Sequence, residues 1–247
     1  MIKKAVILAA GRGKRMGPIT KSIPKPMLPI LDKPILHYLI DEIREAGIHD
    51  IYIVTSHKQE IIEDYFREDS GVLCVHQSEL NGTATALQCV RSYLMEESFA
   101  LLLGDELIQS NTSCLKEMIK VYEQSAGKCV TTLEYTTDEK IRMYNEVQGV
   151  FLDHGNWKIE YIKEKPTRPS HLLTSVGRYV LSPDIFSYLS CLSPRNGEYV
   201  LTDALNLAAN DQKLLGLLLD GKRFDLGNKK DWLQTNLEFA KNHPEFY

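Results

Sequence analysis

The chain has 247 residues, and its 29 lysines and arginines against 33 aspartates and glutamates leave a formal charge of −4 with the histidines neutral. So near a balance argues against a nucleic-acid clamp, which shows a basic excess or patch, and 43% hydrophobic with 25% charged residues excludes global disorder. The length fits one large α/β domain or two small ones, with enough chain to bury roughly 70–75% of its unfolded surface.

Met1-Ile2-Lys3-Lys4 is followed by an apolar stretch, residues 5–10, that runs straight into Gly11-Arg12-Gly13-Lys14-Arg15. It reads as a buried first strand and not as a secretion signal. Residues 5–8, 51–54 and 72–75 are short, β-branched runs bounded by turn signals, as strands buried on both faces require, and residues 100–103 make a fourth. Residues 34–46 predict a helix: Pro34 opens it, Ile35, Leu36, Leu39, Ile40 and Ile43 form an apolar stripe, and Gly47 closes it. Residues 58–68 repeat the pattern with Ile61, Ile62, Tyr65 and Phe66. This alternation predicts an α/β fold with a doubly wound, mainly parallel sheet whose ligands sit at the carboxyl ends of the strands.

After about Gly127 the pattern changes. Residues 129–135, 147–152, 157–162 and 175–181 are strand-like with few helices between, which predicts antiparallel additions and a mixed sheet. Helices return at 183–190, 202–210 and 229–241. The run 214–219 is far too short to span a bilayer. The five cysteines, Cys74, Cys89, Cys114, Cys129 and Cys191, are odd in number and widely spaced, with no C-x-x-C pair. They read as reduced, cytosolic thiols rather than a disulfide framework or zinc site. With no internal repeat and no separating linker, residues 1–247 are expected to form a single domain.

The most informative segment follows the first strand: Leu8-Ala9-Ala10-Gly11-Arg12-Gly13-Lys14-Arg15-Met16-Gly17-Pro18. Glycines there let the backbone approach a phosphate closely, and Arg15 can donate a bidentate fork to phosphate oxygens. This is not a dinucleotide fingerprint: Gly17 comes one residue late, Pro18 disfavours a helix through that point, and no acidic residue ends the second strand, where Ser56-His57 stand. The G-x-x-x-x-G-K-[ST] of a P-loop is missing as well. A merely tight turn is the plainer alternative for the glycines alone. What adds to them is Thr20-Lys21-Ser22-Ile23-Pro24-Lys25-Pro26-Met27-Leu28-Pro29-Ile30, where three prolines stiffen the chain and two of them flank Lys25. Two glycines, an arginine and a rigidly presented lysine can cradle a triphosphate without a P-loop.

With these residues the chain resembles the sugar-1-phosphate nucleotidylyltransferases, whose signature is G-x-G-[TS]-R-[ML]-x-P-x-T followed by P-K-P-M-[LV]-P. Further on, Leu102-Leu103-Gly104-Asp105 looks like the strand presenting the family's metal-binding aspartate, and Ile162-Lys163-Glu164-Lys165-Pro166 is similar to its V-E-K-P segment. Val176-Gly177-Arg178-Tyr179-Val180, Leu201-Thr202-Asp203-Ala204 and Asp225-Leu226-Gly227-Asn228-Lys229 resemble its V-G-R-Y-V, L-T-D-A and D-x-G-N-K, which favour the glucose uridylyltransferase branch. Two features depart from the pattern. Lys14 stands where the family usually has Thr or Ser, and the connection from Phe66 to Val72 lacks the longer helical insertion of bacterial glucose uridylyltransferases.

The resemblance implies a glycosyltransferase-A-like, Rossmann-like fold with an antiparallel sugar-binding addition. The nucleotide would be bound by about residues 1–127 and the sugar phosphate by about 128–247. It implies a magnesium-dependent enzyme that makes UDP-glucose and pyrophosphate from UTP and glucose 1-phosphate, with no nucleic-acid or membrane partner and room for a homo-oligomer. Arg15 and Lys25 would hold the triphosphate, with Ala10, Gly11 and Gly13 offering backbone amides; Asp105 and Asp225 would hold the metal. Gln77 and Gly82 would read the base, and Glu164, Lys165, Gly149 and Gly177 would face the sugar phosphate. Plainer readings stand beside these: an aspartate after a strand also serves as a cap or turn residue, Lys163-Glu164-Lys165 alone is a solvated strand edge, and strand glycines mark bulges. Use of dTTP or CTP, another sugar 1-phosphate or phosphocholine as acceptor, and a non-catalytic nucleotide-sugar sensor stay open as alternatives.

Overall fold

The computed structural model describes residues 1–241 and 243–245, so residues 242, 246 and 247 of the expected domain span lie outside the described residues. Its strands are β1 (Lys4–Leu8), β2 (Pro29–Ile30), β3 (Lys33–Pro34), β4 (Asp50–Thr55), β5 (Val72–His76), β6 (Phe99–Leu103), β7 (Glu106–Gln109), β8 (Cys129–Tyr135), β9 (Asn145–Phe151), β10 (Asn156–Glu164), β11 (Leu173–Leu181), β12 (Leu214–Leu218) and β13 (Lys222–Asp225). The helices are α1 (Ile35–Glu45), α2 (Gln59–Tyr65), α3 (Thr83–Gln88), α4 (Arg91–Leu94), α5 (Cys114–Gln124), α6 (Asp138–Ile141), α7 (Ile185–Ser190), α8 (Leu201–Asn210) and α9 (Lys229–Ala240).

Among the described residues nine strands form one mixed sheet in the order β5-β4-β1-β6-β11-β8-β12-β10-β9. β1 pairs in parallel with β4 on one side and β6 on the other, and β4 continues in parallel to β5. β11 runs antiparallel between β6 and β8, while β8 and β12 pair in parallel and β10 is antiparallel to both β12 and β9. Most strands therefore point one way, with β10 and β11 reversed. The expected antiparallel strands are not an appendage: β11 is threaded into the middle of the sheet. β12 had shown in the sequence only as a short apolar run, and a strand buried on both sides reads as such a run whichever direction it takes.

Side chains alternate across the sheet as the pleat requires. Ala5 and Ile7 of β1 join one core cluster with α1, α5 and α9, while Val6 and Leu8 join the opposite cluster with α3, α4, α7 and α8. The apolar stripe read for α1 is buried: Ile35, Leu36, Leu39, Ile40 and Ile43 are at most 1% exposed. Burying each such side chain stabilises the fold by roughly 1.5–3 kcal/mol. Helix α5 carried a readable signal that the sequence analysis passes over, with Ser113 accepting from the Lys116 N–H as its cap and Leu115, Met118 and Tyr122 turned inward. The segment predicted at 58–68 is helical only over Gln59–Tyr65, since Lys58 is left-handed at φ 61° and the chain turns after Phe66 to start β5.

The V-G-R-Y-V arginine is structural. Arg178 of β11 is fully buried and donates a fork to Glu42 of α1, Nε to Oε1 at 2.8 Å and Nη2 to Oε2 at 2.7 Å. Its Nη2 also donates to the Glu106 carbonyl at 3.1 Å, so one side chain ties sheet, helix and β7 together. Among the described residues no helix is long and apolar enough to cross a membrane, and all five cysteines are unpaired.

Candidate active site

β1 ends between neighbours that leave it on opposite sides, the switch point at which doubly wound sheets bind ligands. The Ala9 amide donates to the Val54 carbonyl at 2.8 Å, and the Gly104 amide to the Leu8 carbonyl at 2.9 Å. The glycine loop leaves from there, its Ala10 carbonyl accepting from the Ser56 hydroxyl at 2.6 Å. Beyond it the chain makes 3₁₀ turns over Lys14–Lys21, interrupted at Gly17 (φ 61°) just before Pro18, so no long helix follows the loop. A second 3₁₀ turn, Lys25–Met27, sets Lys25 against the loop with only 6% of its surface exposed.

Gly13 is required by two separate facts. It is left-handed at φ 59°, and a Cβ there would come within 2.9 Å of Thr20 Cγ2 and 3.1 Å of Lys25 Cβ. Gly13→Ala is expected to destabilise the fold by about 1–3 kcal/mol, read as a lower urea midpoint, and to disturb Lys25 directly. Gly11 has no heavy atom near the corresponding point and lies open to the cleft.

A small ribbon, unmarked by any local sequence pattern, brings the backbone at Asp105 beside the segment that carries Asp225. β7 and β13 pair antiparallel with Glu106 opposite Asp225, and the Leu226 amide donates to the Asp105 carbonyl at 2.9 Å. Lys25 Nζ donates to Asp105 Oδ2 at 2.5 Å. Burial pushes the Asp105 carboxyl up, but the Lys25 ammonium and the Arg15 guanidinium outweigh it and hold the group below its ordinary value. Asp225 Oδ1 accepts from the Gly227 amide at 2.7 Å, and its Oδ2 accepts from the Tyr144 hydroxyl. Arg15 lies against Gly227, where a Cβ would meet both of its terminal nitrogens at 3.2 Å.

Behind Asp225, the Arg223 guanidinium sits 4.6 Å from the Tyr144 ring centroid and pairs with Glu134 at 2.5 Å and Glu106 at 3.3 Å. Glu106 points away from the cleft, accepting from the Gly177 amide at 3.0 Å. Burial pushes its carboxyl up, against the lowering pull of Arg223. Burial and the Asp225 carboxylate together push the Tyr144 phenol up, so it stays a donor to Asp225.

Ala10, Gly11, Gly13, Lys25, Gln77, Gly82, Asp105, Glu164 and Lys165 all line one cavity of about 1100 Å³. Arg15 and Asp225 adjoin it through Asp105 and Gly227. Gln77 is 4% exposed, and its Nε2 donates to the carbonyls of Glu79 at 2.9 Å and Gly82 at 3.2 Å. Those two acceptors fix the amide's orientation and leave Oε1 as its remaining polar atom. Gly82 (φ 124°) is crowded by the Tyr199 backbone, 2.1 Å from where a Cβ would sit.

The glycines expected at the sugar, Gly149 and Gly177, are not among the residues lining the cavity. Each lies beside a register shift, Gly149 opposite Ile159 and Gly177 between Val176 and Tyr179. A Cβ would meet the Lys158 carbonyl oxygen at 2.3 Å in the first case and Glu106 Oε2 at 2.9 Å in the second. Close strand packing at a bulge, the plainer reading, accounts for both.

A further segment shares the cleft with Glu164 and Lys165 and was not among the residues marked in the sequence. Arg195, Asn196, Glu198 and Val200 line it, carried on a turn with Asn196 (φ 52°) and Gly197 (φ 81°) left-handed. The signal was present in Pro194-Arg195-Asn196-Gly197, a turn-forming run just before a helix. The L-T-D-A motif explains its setting: Arg195 pairs with Asp203 at 2.6 Å in the first turn of α8. Burial pushes the Glu164 carboxyl up, while a hydrogen bond from Thr202 and the charges of Lys165 and Arg195 pull it down. Lys165 itself is left-handed at φ 45° and anchored by its amide to the Tyr144 carbonyl at 2.7 Å.

Among the described residues no cluster of three or more His, Cys, Asp or Glu could hold a metal alone. The pair Asp105 and Asp225 fits a hard cation that takes its other ligands from phosphates and water.

A glycine loop at the switch point of a doubly wound sheet, facing paired lysine and aspartate, defines an α/β enzyme of nucleotide chemistry. The chain belongs to the nucleotidyl transferase family, whose sequence model matches residues 4–242, and enzymes of this family generally use a divalent metal ion. The UTP–glucose-1-phosphate uridylyltransferase of Staphylococcus epidermidis is 34% identical, the match covering 99% of this chain and 94% of that protein. The UTP–glucose-1-phosphate uridylyltransferase 2 of Staphylococcus saprophyticus is likewise 34% identical, over 97% of this chain and 92% of that one. A crystal structure of UDP-glucose pyrophosphorylase complexed with UDP-glucose superposes with a TM-score of 0.93 at 33% identity, covering 98% of this chain and all of that one. The UTP-bound enzyme of Acinetobacter baumannii superposes at 0.86 with 29% identity, over 100% of this chain and 96% of that one.

Proposed function

We propose that this chain is a magnesium-dependent UTP:glucose-1-phosphate uridylyltransferase of the cytoplasm, forming UDP-glucose and pyrophosphate. The observation that carries the reading is likeness over nearly the whole chain to UDP-glucose pyrophosphorylases, together with a cleft in which the Lys25–Asp105 pair faces the glycine loop.

In this reading a phosphate oxygen of glucose 1-phosphate attacks the α-phosphorus of UTP in line. The new oxygen–phosphorus bond forms as the bond to the bridging oxygen breaks, and that oxygen leaves on pyrophosphate with the electron pair. The attacking oxygen is already ionised at neutral pH, so positioning and charge neutralisation do the catalytic work. Arg15 and Lys25 hold the triphosphate and its leaving pyrophosphate, with the amides of Ala10, Gly11 and Gly13 on phosphate oxygens. Asp105 and Asp225 would hold Mg²⁺, which supplies neutralisation of phosphate charge when bound. Tyr144, donating to Asp225, keeps that carboxylate aimed.

Gln77 supports a choice of base. With its amino group donated to two carbonyls, it offers a carbonyl oxygen, which suits the N3–H of uracil or thymine and opposes the N3 lone pair of cytosine. Glu164 and Lys165 are assigned to the sugar hydroxyls and sugar phosphate, with Arg195 as a second cation on the same side.

A pyrophosphate-release panel crossing UTP, dTTP, CTP, ATP and GTP with several sugar 1-phosphates tests the reading. UTP with glucose 1-phosphate is expected to turn over fastest and CTP poorly; no release from any UTP pair would refute it. Lys165→Ala is expected to raise the KM for glucose 1-phosphate about tenfold or more while changing that for UTP little. Equal losses for both substrates would mean that Lys165 does not serve the sugar phosphate.

A further inference from the structure

A second cavity, of about 930 Å³, adjoins the cleft at the carboxyl ends of β4 and β5. The two share Arg12, Lys14, Gln77 and Leu80, whereas Lys21, His57 and His76 line the second alone. No aspartate or glutamate lines it, and Arg12, Lys14 and Lys21 have no ion pair among the described residues. The other site-facing cations described above each have a carboxylate near them: Lys25 has Asp105, Arg195 has Asp203, Arg15 feels Asp105, and Lys165 acts on Glu164. A concave surface carrying unpaired positive charge concentrates anions. Lys14 adds to that charge at a position where the family resemblance places Thr or Ser.

We propose that this second cavity is a holding site for condensed phosphate, occupied by the pyrophosphate that the reaction releases. Arginine forks and lysine ammonium groups match phosphate oxygens, and the histidine N–H groups and the Ser78 hydroxyl add donors. Because Arg12 and Lys14 line both cavities, the anion passes from the cleft without losing cationic contact. The source of the anion rests on the uridylyltransferase reading; the chemistry of the site does not.

The test is the double variant Lys21→Ala/His57→Ala, whose two side chains are exposed and line the second cavity only. Calorimetric titration with sodium pyrophosphate alone, with no nucleotide present, is expected to show affinity about tenfold weaker than in the unmodified chain. The KM for pyrophosphate in the reverse reaction should rise in parallel, with the KM for UTP in the forward reaction unchanged and Lys21→Arg retaining affinity. Pyrophosphate binding unaltered in the double variant would overturn the proposal. So would a KM for UTP that rises by the same factor, since the tail of the bound triphosphate would then occupy the cavity. A chain that binds pyrophosphate through Lys21 but releases none from UTP would support the site while refuting the uridylyltransferase reading, so the two fail separately.

Discussion

Asp105→Asn is expected to lower magnesium-dependent pyrophosphate release about 1000-fold, with the unfolding midpoint in urea close to that of the unmodified chain. The carboxylate has two partners to serve: the buried Lys25 ammonium, which it meets at 2.5 Å, and the metal assigned to it together with Asp225, whose neighbour Leu226 donates its amide to the Asp105 carbonyl. Asparagine keeps an oxygen for Lys25 and so leaves no bare buried ammonium, but it removes the negative charge that a hard cation needs. Loss of a metal's charge at the transferring phosphate is worth several kcal/mol, which is the source of the expected factor. Turnover near that of the unmodified chain would refute the metal assignment, and a collapse of the urea midpoint would assign Asp105 to the fold instead.

Arg178→Met is expected to destabilise the chain by about 3–5 kcal/mol in urea unfolding. The guanidinium has no exposed surface, and without it Glu42 and the Glu106 carbonyl lose their partner together. Removing one member of a buried pair costs more than removing both, because an uncompensated charge stays behind. The double variant Glu42→Leu/Arg178→Met should therefore recover much of the loss, and additive losses would show that the two groups do not act as a pair.

Much of the sheet's first half was legible because local pattern and position agree there. Val6 and Leu8 alternate with Ala5 and Ile7 onto opposite faces, and α1 buries the five residues its spacing marks. Lys25 was legible as well, since flanking prolines advertise a rigidly held side chain. The neighbourhood of Asp105 and Asp225 was not. It depends on pairing between β7 and β13, two short strands far apart in the chain, and no local periodicity reports a non-local pairing. The segment around Arg195 escaped for a related reason: a turn's residues show that the chain bends, not what it bends over. Gly149 and Gly177 show the reverse ambiguity, where a glycine's freedom to accept a ligand and its freedom to accept a neighbouring strand leave the same mark in a sequence.

The threading of β11 between β6 and β8 has a consequence for how the protein is made. β6 is complete at Leu103, but the strand that pairs with its open edge begins only at Leu173. At roughly 5–20 residues per second on the ribosome, that edge waits several seconds with a row of unpaired amides and carbonyls flanked by the apolar side chains of Phe99 to Leu103. Newly made chain is thus most prone to pair with other chains, or to need a chaperone, during that interval, because an open apolar strand edge is a template for aggregation.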